Sequence, residues 1–474
     1  MTPRPRFLLV WAVLTLPVCT LGPDYHRPEM TVPAVYKEAA GWKIAQPRDD
    51  APRADWWTAY NDPALNALVA QVAVSNQNLR AIEAQHRQAV ALLAVARSSY
   101  FPTISAGWSG SRNKGPGGAS AELGVPARST AVNTTKLSGT ASWEPDLWGG
   151  IRRTVESNQA AADASKADLA TALLSAQGTV VQSYAQLRVN DAVRRLLEDT
   201  VTGYARSLQI TRNRYKAGVA ARLDIAQAET LLTTTRAQAI DLGVQRAQLE
   251  HAIALLIGKA PAEFSLAPTR TLPMLSDMPL EVPSALLERR PDIAASERRV
   301  AAANAKIGVA QAAYFPSLTL SAAAGFQASS FGRLLALPNS FWSLGPAFAE
   351  VLFDGGLRAA QKEQAIAVYD QTVAQYRETV LTGLQEVEDN LVALRVLTEE
   401  SVAQQAAERT ADQAAQLSMN QYLAGTVDYL TVVTAQANAL TTKRSGLDLT
   451  ARRLVASAGL VSALGGGWHA EPSQ

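Results

Sequence analysis

One cysteine, Cys19, in a chain of 474 residues excludes a disulfide framework and a cysteine-ligated metal site. The four histidines, His26, His86, His251 and His469, are far apart and form no His-Glu-x-x-His pair. No phosphate-cradling Gly-x4-Gly-Lys-Ser/Thr loop and no Gly-x-Ser-x-Gly elbow occurs; the nearest stretch, Gly107-Trp-Ser-Gly110, has the composition of a strand. No apolar run reaches 18 residues, so no membrane-spanning helix is expected. Charged residues are 18% of the chain and the net charge is +2, which leaves no bias toward polyanions. The doubled arginines Arg289-Arg290, Arg298-Arg299 and Arg452-Arg453 read as solvated faces or inter-helix salt bridges rather than a nucleic-acid surface. The expectation is a protein that is not an enzyme, with no catalytic residue, metal or cofactor.

What the chain does contain is a repeat. Arg214-Tyr-Lys-Ala-Gly-Val-Ala-Ala-Arg-Leu223 breaks a long alanine-rich helical pattern at Gly218, where a helix can end left-handed at little steric cost. Asn420-Gln-Tyr-Leu-Ala-Gly-Thr-Val-Asp-Tyr-Leu430 repeats Tyr-x-Ala-Gly-x4-Leu at an offset of 207. A constant offset between two such tips signals an internal duplication.

Residues 1–18 carry Arg4 and Arg6, then the short apolar core Phe7 to Leu16, and are expected to be an export signal. Cys19 comes immediately after. It reads as an acylated lipoprotein cysteine or as an incidental cysteine behind an ordinary signal; the stretch from Thr20 to Pro28 favours acylation, whereas Val18 stands where a small residue is usual. Residues 19–61 are proline-punctuated and extended, and Trp56-Trp57 near their end is expected to be plain packing. Repeat 1 covers 62–258. A helix starts at Asp62-Pro63 and runs to about Ser98; strands come next over 103–109 and 137–143, flanking a loop at 111–134. A very long helix opens at Gly149-Gly150 and ends at the Gly218 tip, and a return helix reaches about Ile257. Leu169, Leu173, Ala176, Val180, Tyr184 and Leu187 stripe the long helix at close to the coiled-coil period. After a linker at 259–283, repeat 2 covers 284–465 with the same plan: a helix to Tyr314-Phe-Pro316, strands over 318–326 and 341–351, an opening at Gly355-Gly356, and the Gly425 tip. The stripe returns as Tyr376, Val380, Gly383, Val387, Leu391 and Leu394, each displaced by 207. Residues 466–474 are a tail.

Four strands with one apolar and one polar face cannot close a barrel, and open edges are not tolerated in lipid. Copies of the chain must therefore share one barrel, eight-stranded from two copies or twelve-stranded from three. The alanine-rich helices must bury their striped faces against other helices, which neighbours curving into a tube would allow.

Cys19-Thr-Leu-Gly-Pro-Asp-Tyr-His-Arg-Pro28, Asp55-Trp-Trp57, Asp62-Pro-Ala-Leu65, Leu287-Glu-Arg-Arg-Pro-Asp-Ile293, Ile307-Gly-Val-Ala310 and Tyr314-Phe-Pro316 together resemble the TolC/OprM-type outer-membrane efflux proteins, in their NodT-like lipoprotein branch. The resemblance covers essentially the whole mature chain. It implies a mostly α fold with a small β part: a homotrimer whose hairpins form a periplasmic α-barrel and whose strands form a shared twelve-stranded barrel in the bacterial outer membrane. It also implies a lipid on Cys19, a periplasmic adaptor and an inner-membrane pump as partners, and drugs or other small solutes as cargo. Ala217-Gly-Val219 and Ala424-Gly-Thr426 match the tips on which the adaptor docks. Asp428 matches an acidic residue at the closed periplasmic end, while Thr431 departs from an aspartate common in relatives. From the residues alone, Asp428 reads as one carboxylate per copy in a cation-attracting ring, as the N-cap of the returning helix, or as both. Arg212, Arg214 and Arg222 are candidate donors to it. A conduit for a protein secretion system would share the fold. A periplasmic coiled-coil scaffold without a pore would not need two strand pairs.

Overall fold

The computed structural model describes residues 20–30, 36–38, 55–114, 131–269, 271–273 and 290–466. The export signal, Cys19 and Leu287–Arg289 of the signature lie outside the described residues. The chain divides into two compact units: residues 1–28, 87–164 and 297–374, and residues 29–86, 165–296 and 375–474.

The first unit is built on a four-stranded antiparallel sheet in the order β1 (Thr103–Asn113), β2 (Val132–Trp143), β3 (Ser317–Ala328), β4 (Ser340–Ala349). β1 and β2 extend further into the expected loop than their alternation alone marks, and two short 3-10 turns, Phe331–Arg333 and Leu337–Asn339, sit between β3 and β4. The central pairing, Ala141 opposite Ala322 and Leu137 opposite Phe326, joins the two repeats. Directly opposed residues share a face. One face therefore carries Ile104, Trp108, Leu137, Phe326, Trp342, Leu344 and Phe348, and the other is mainly serine, threonine, glycine and alanine. Ile104, Trp342 and Leu344 are 78%, 81% and 77% exposed, so the apolar face is uncovered. Among the described residues, neither edge strand has a partner on its outer side.

The same unit clamps the segment just after Cys19. The Leu21 amide donates to the Trp148 carbonyl at 3.2 Å. Arg153, buried in α3 (Gly150–Lys216), donates to the Leu21 and Gly22 carbonyls and pairs with Asp24 at 2.9 Å and Glu156 at 2.8 Å. Burial alone would lower the pKa of Arg153, but those two carboxylates outweigh it and raise it. Gly22 has φ +96°, and a Cβ there would stand 2.4 Å from Gly308 Cα, so both geometry and space demand glycine.

In the second unit the expected single helix over 62–98 is broken. α1 (Pro63–Ser75) is capped by Asp62, which accepts from the Ala64 and Leu65 amides, and α2 (Gln77–Ser98) starts anew after Asn76. Asn76 accepts from the Leu79 amide at 3.0 Å and donates to the Leu256 carbonyl at 2.7 Å. The break is thus held by a partner 180 residues away. α4 (Arg222–Leu256), α5 (Pro291–Ala312), α6 (Leu357–Ala424) and α7 (Tyr429–Ala463) complete the helices. α3 and α6 have 67 and 68 residues, about 100 Å each at ~1.5 Å per residue, and α4 and α7 have 35 each. Val180, Tyr184 and Leu187 of the stripe are buried, as are their counterparts Val387, Leu391 and Leu394. All of these but Leu187 share one core with Trp56 and Trp57, which meet edge-on at 5.9 Å, so the tryptophan pair is packing.

Two ionic hubs fix irregular backbone here. Asp191, 3% exposed, receives Arg246 at 2.7 Å and Arg188 at 3.5 Å, while these arginines also donate to the Leu266 and Ala267 carbonyls of the linker. Arg290 bridges Asp292 and Glu386, both at 2.7 Å, and donates to the Ala463 carbonyl at the end of α7. The inter-helix salt bridge expected of one doubled arginine is therefore present. No described helix is long and apolar enough to cross a membrane.

Candidate functional site: the two hairpin tips

Both tips lie within the second unit and close in the same way. Gly218 has φ +78° and Gly425 has φ +79°. The Gly218 amide donates to the Tyr215 carbonyl (2.9 Å) and the Val219 amide to that of Arg214 (3.0 Å). The Gly425 and Thr426 amides donate to the Tyr422 and Gln421 carbonyls, both at 3.0 Å. This pair of bonds is the Schellman closure, and it satisfies carbonyls that the helix end would otherwise strand. A Cβ on either glycine would meet nothing within 4 Å, so the left-handed φ and not crowding selects glycine. Ala217, Gly218, Val219, Ala424, Gly425 and Thr426 are all exposed. Val219, Leu223 and Leu430 are 62%, 64% and 53% exposed and set apolar side chains on that surface.

Behind the tips lies a small core of Tyr204, Leu208, Ala228, Leu232, Tyr422, Tyr429 and Val432. Tyr422 and Tyr429 meet edge-on at 5.0 Å. The Arg214 guanidinium stacks 4.8 Å above the Tyr422 ring and donates to the Leu423 carbonyl at 2.8 Å, tying the first tip to the second. The Tyr422 hydroxyl reaches Asp224 at 3.5 Å, the outer limit of a hydrogen bond. Tyr204 donates to the Gln436 carbonyl, and burial pushes its phenol up to about 12. Burial likewise raises Tyr422 and Tyr429, so this cluster stays neutral through the physiological range.

Asp428 is the N-cap of α7. Its carboxylate accepts from the Thr431 hydroxyl at 2.6 Å and the Thr431 amide at 2.9 Å. These two bonds hold its pKa below the ordinary carboxylate value. Two of the three candidate arginine donors are engaged elsewhere within the chain: Arg212 pairs with Glu229, and Arg214 is spent on Tyr422 and Leu423. The cap is a property of one chain, and pairing of Asp428 with Arg212 or Arg214 is not part of it.

Asp224 is a site residue that the sequence reading passed over. The offset of 207 maps Thr431 onto Asp224 and Asp428 onto Ala221. The first tip thus carries its acid three residues later, where it reaches back to the Ala221 amide at 3.3 Å. The offset that revealed the repeat also carries this signal. Among the described residues no cluster of three or more His, Cys, Asp or Glu could hold a metal.

The family described as outer membrane efflux protein matches residues 68–259 and 282–466. The toluene efflux pump outer membrane protein TtgC of Pseudomonas putida is 30% identical over 467 residues, spanning 96% of this chain and 94% of TtgC. The pyoverdine export outer membrane protein OpmQ of Pseudomonas aeruginosa is 30% identical over 470 residues, spanning 98% of this chain and 97% of OpmQ. Among solved structures, the outer-membrane channel OprN matches with a TM-score of 0.88 at 32% identity, over 95% of this chain and all of that one.

Proposed function

The chain belongs to the outer membrane efflux protein family, and from that premise we propose that it is the passive outer-membrane conduit of a tripartite efflux system, carrying small solutes delivered by an inner-membrane pump. The observation that carries this reading is the sheet. One face is apolar and exposed, the other is small and polar, and both edges are open. A lipid-facing exterior, a wet interior and edges paired with further copies make use of all three features. Three copies supply twelve strands, enough to leave a lumen, where two would fill their interior with side chains. A scaffold without a pore has no use for such a sheet.

The remaining parts take their roles from this arrangement. The apolar tips at Val219, Leu223 and Leu430 form the docking surface for a periplasmic adaptor. Asp428 contributes one carboxylate per copy to a ring at the periplasmic end. The Arg153 clamp holds residues 21–24 beside the start of α3, which would keep an acylated Cys19 near the base of the sheet. Metabolic labelling with palmitate tests the acyl group: label in the parent and none in Cys19→Ser is expected.

Two measurements test the reading as a whole. The detergent-solubilised protein should have the mass of a trimer. Expressed with its pump and adaptor in cells lacking their own outer-membrane channel, it should lower accumulation of a fluorescent pump substrate. A monomer in detergent, or unchanged accumulation with the protein present in the outer membrane, would overturn it.

A further inference from the structure

The four strands contain two charged residues, Arg112 and Lys136, and no acidic one. Arg112 falls on the apolar face, in register with Asn133. Lys136 is the one charged strand residue on the polar face, opposite Gln327 and in line with Ser138 and Thr140. Its ammonium lies 4.8 Å from the centre of the Phe341 ring, reached diagonally across Gly325, which has no side chain to obstruct it. The aromatic face holds the charge over the sheet while leaving it half-buried and able to meet a second partner. Lys136 stands seven residues before the end of β2 that leads into α3, about 23 Å along the strand at ~3.3 Å per residue. It therefore sits near the far mouth of the sheet, among neutral serine, threonine and glycine.

We propose that Lys136, one from each copy, forms a cationic ring in the outer half of the pore that enriches anionic solutes, such as carboxylates and phosphates, at the exit. The proposal rests on the reading above, in which the polar face lines the lumen. Rings of lysine or arginine select anions in pores, and lumen side chains of barrels tune selectivity. The acidic tips, with Asp428 and Asp224, and this basic mouth would then carry fixed charges of opposite sign. Three charges ~10 Å from the axis enrich a monovalent anion about two-fold at 0.1 M salt and about four-fold at 0.01 M.

Thiol labelling in intact cells tests this with the full chain, using Ser138→Cys as a reporter on the same face and Leu137→Cys on the opposite one. The probes are membrane-impermeant methanethiosulfonates, one bearing a sulfonate and one a trimethylammonium. Relative to a simple thiol in solution, the Ser138→Cys protein is expected to show a raised sulfonate-to-ammonium rate ratio, and Leu137→Cys is expected to react with neither. Adding Lys136→Gln should lower the sulfonate-to-ammonium rate ratio about five-fold at 0.1 M salt, because anion enrichment and cation depletion are lost together. Lys136→Arg should restore the ratio. An unchanged ratio in Lys136→Gln overturns the proposal and leaves the conduit intact. Reaction at Leu137→Cys with none at Ser138→Cys would turn the lysine toward lipid and also overturn it. Protein missing from the outer membrane would instead count against the conduit reading.

Discussion

The two hairpin tips share a closure and differ in everything built on it. Gly218 and Gly425 have the same φ within a degree and the same pair of backbone bonds. Yet Tyr215 is 45% exposed, whereas its counterpart Tyr422 is 4% exposed, stacked under Arg214 and against Tyr429. The first returning helix begins on Ala221 with Asp224 reaching back, and the second begins on Asp428 with Thr431 as its partner. After duplication, backbone geometry was held by a requirement that only glycine meets cheaply, while side chains were free to divide the work. One tip presents an aromatic to the outside, and the other anchors the pair.

The strongest way to break the comparison is at what the tips share. Proline at Gly218 or Gly425 would force φ to about −65° and remove an amide donor from the closure. Each substitution is expected to abolish efflux, read as substrate accumulation in cells, while leaving a trimer in the membrane. Normal efflux in both would mean that the tips engage no partner. The next effect lies in what they do not share. Tyr422→Ala should cost about 3–5 kcal/mol of local stability, the range for emptying a buried aromatic site, and Tyr215→Ala within about 0.5 kcal/mol. Hydrogen exchange of the amides over 418–432 would show the contrast, and equal protection in the two variants would erase it.

The caps give smaller effects. Asp428→Ala removes both cap and charge, whereas Asp428→Asn keeps an acceptor for the Thr431 amide and removes the charge alone. In planar bilayers both should lower cation selectivity, and only the alanine variant should loosen the first turn of α7 in hydrogen exchange. Selectivity unchanged in both would leave Asp428 as a cap and nothing more. The smallest effect is a titration. The folded pKa of Asp428 lies below its unfolded value, so its contribution is complete above the unfolded pKa and is lost as pH falls through the folded one. Thr431→Ala removes the larger of the two causes and should move that loss to higher pH, measurable by carboxylate NMR.

The repeat, the strand faces and the striped helices were legible because each is a period, and periods survive in sequence. The break at Asn76 was not. No glycine or proline marks it, and it is held by the Leu256 carbonyl, a partner remote in the chain. The Arg153 and Asp191 hubs were hidden for a related reason. Single charged residues in alanine-rich helices look solvated until the backbone they grip is brought beside them. Asp428 was legible as a cap and as an acid; that Arg212 and Arg214 bond elsewhere within the same chain was not, because nearness to a tip says nothing of what else competes for the guanidinium. Arg214 had an aromatic ring and a carbonyl within reach.

The open edges also have a consequence in time. Inside the chain, the second strand of one repeat pairs with the first strand of the next, β2 with β3. Joining β4 of one copy to β1 of another would reproduce the same relation, so assembly calls for no type of seam that the chain has not already made within itself. In the proposed shared barrel, a newly made chain would complete one such seam alone and wait for neighbours to complete the others. During that wait its bare backbone edges and its tryptophan-bearing face are open to any sticky strand nearby. If the proposed assembly holds, the interval shortens as more copies are made, and the yield of closed channels should rise faster than the amount of protein.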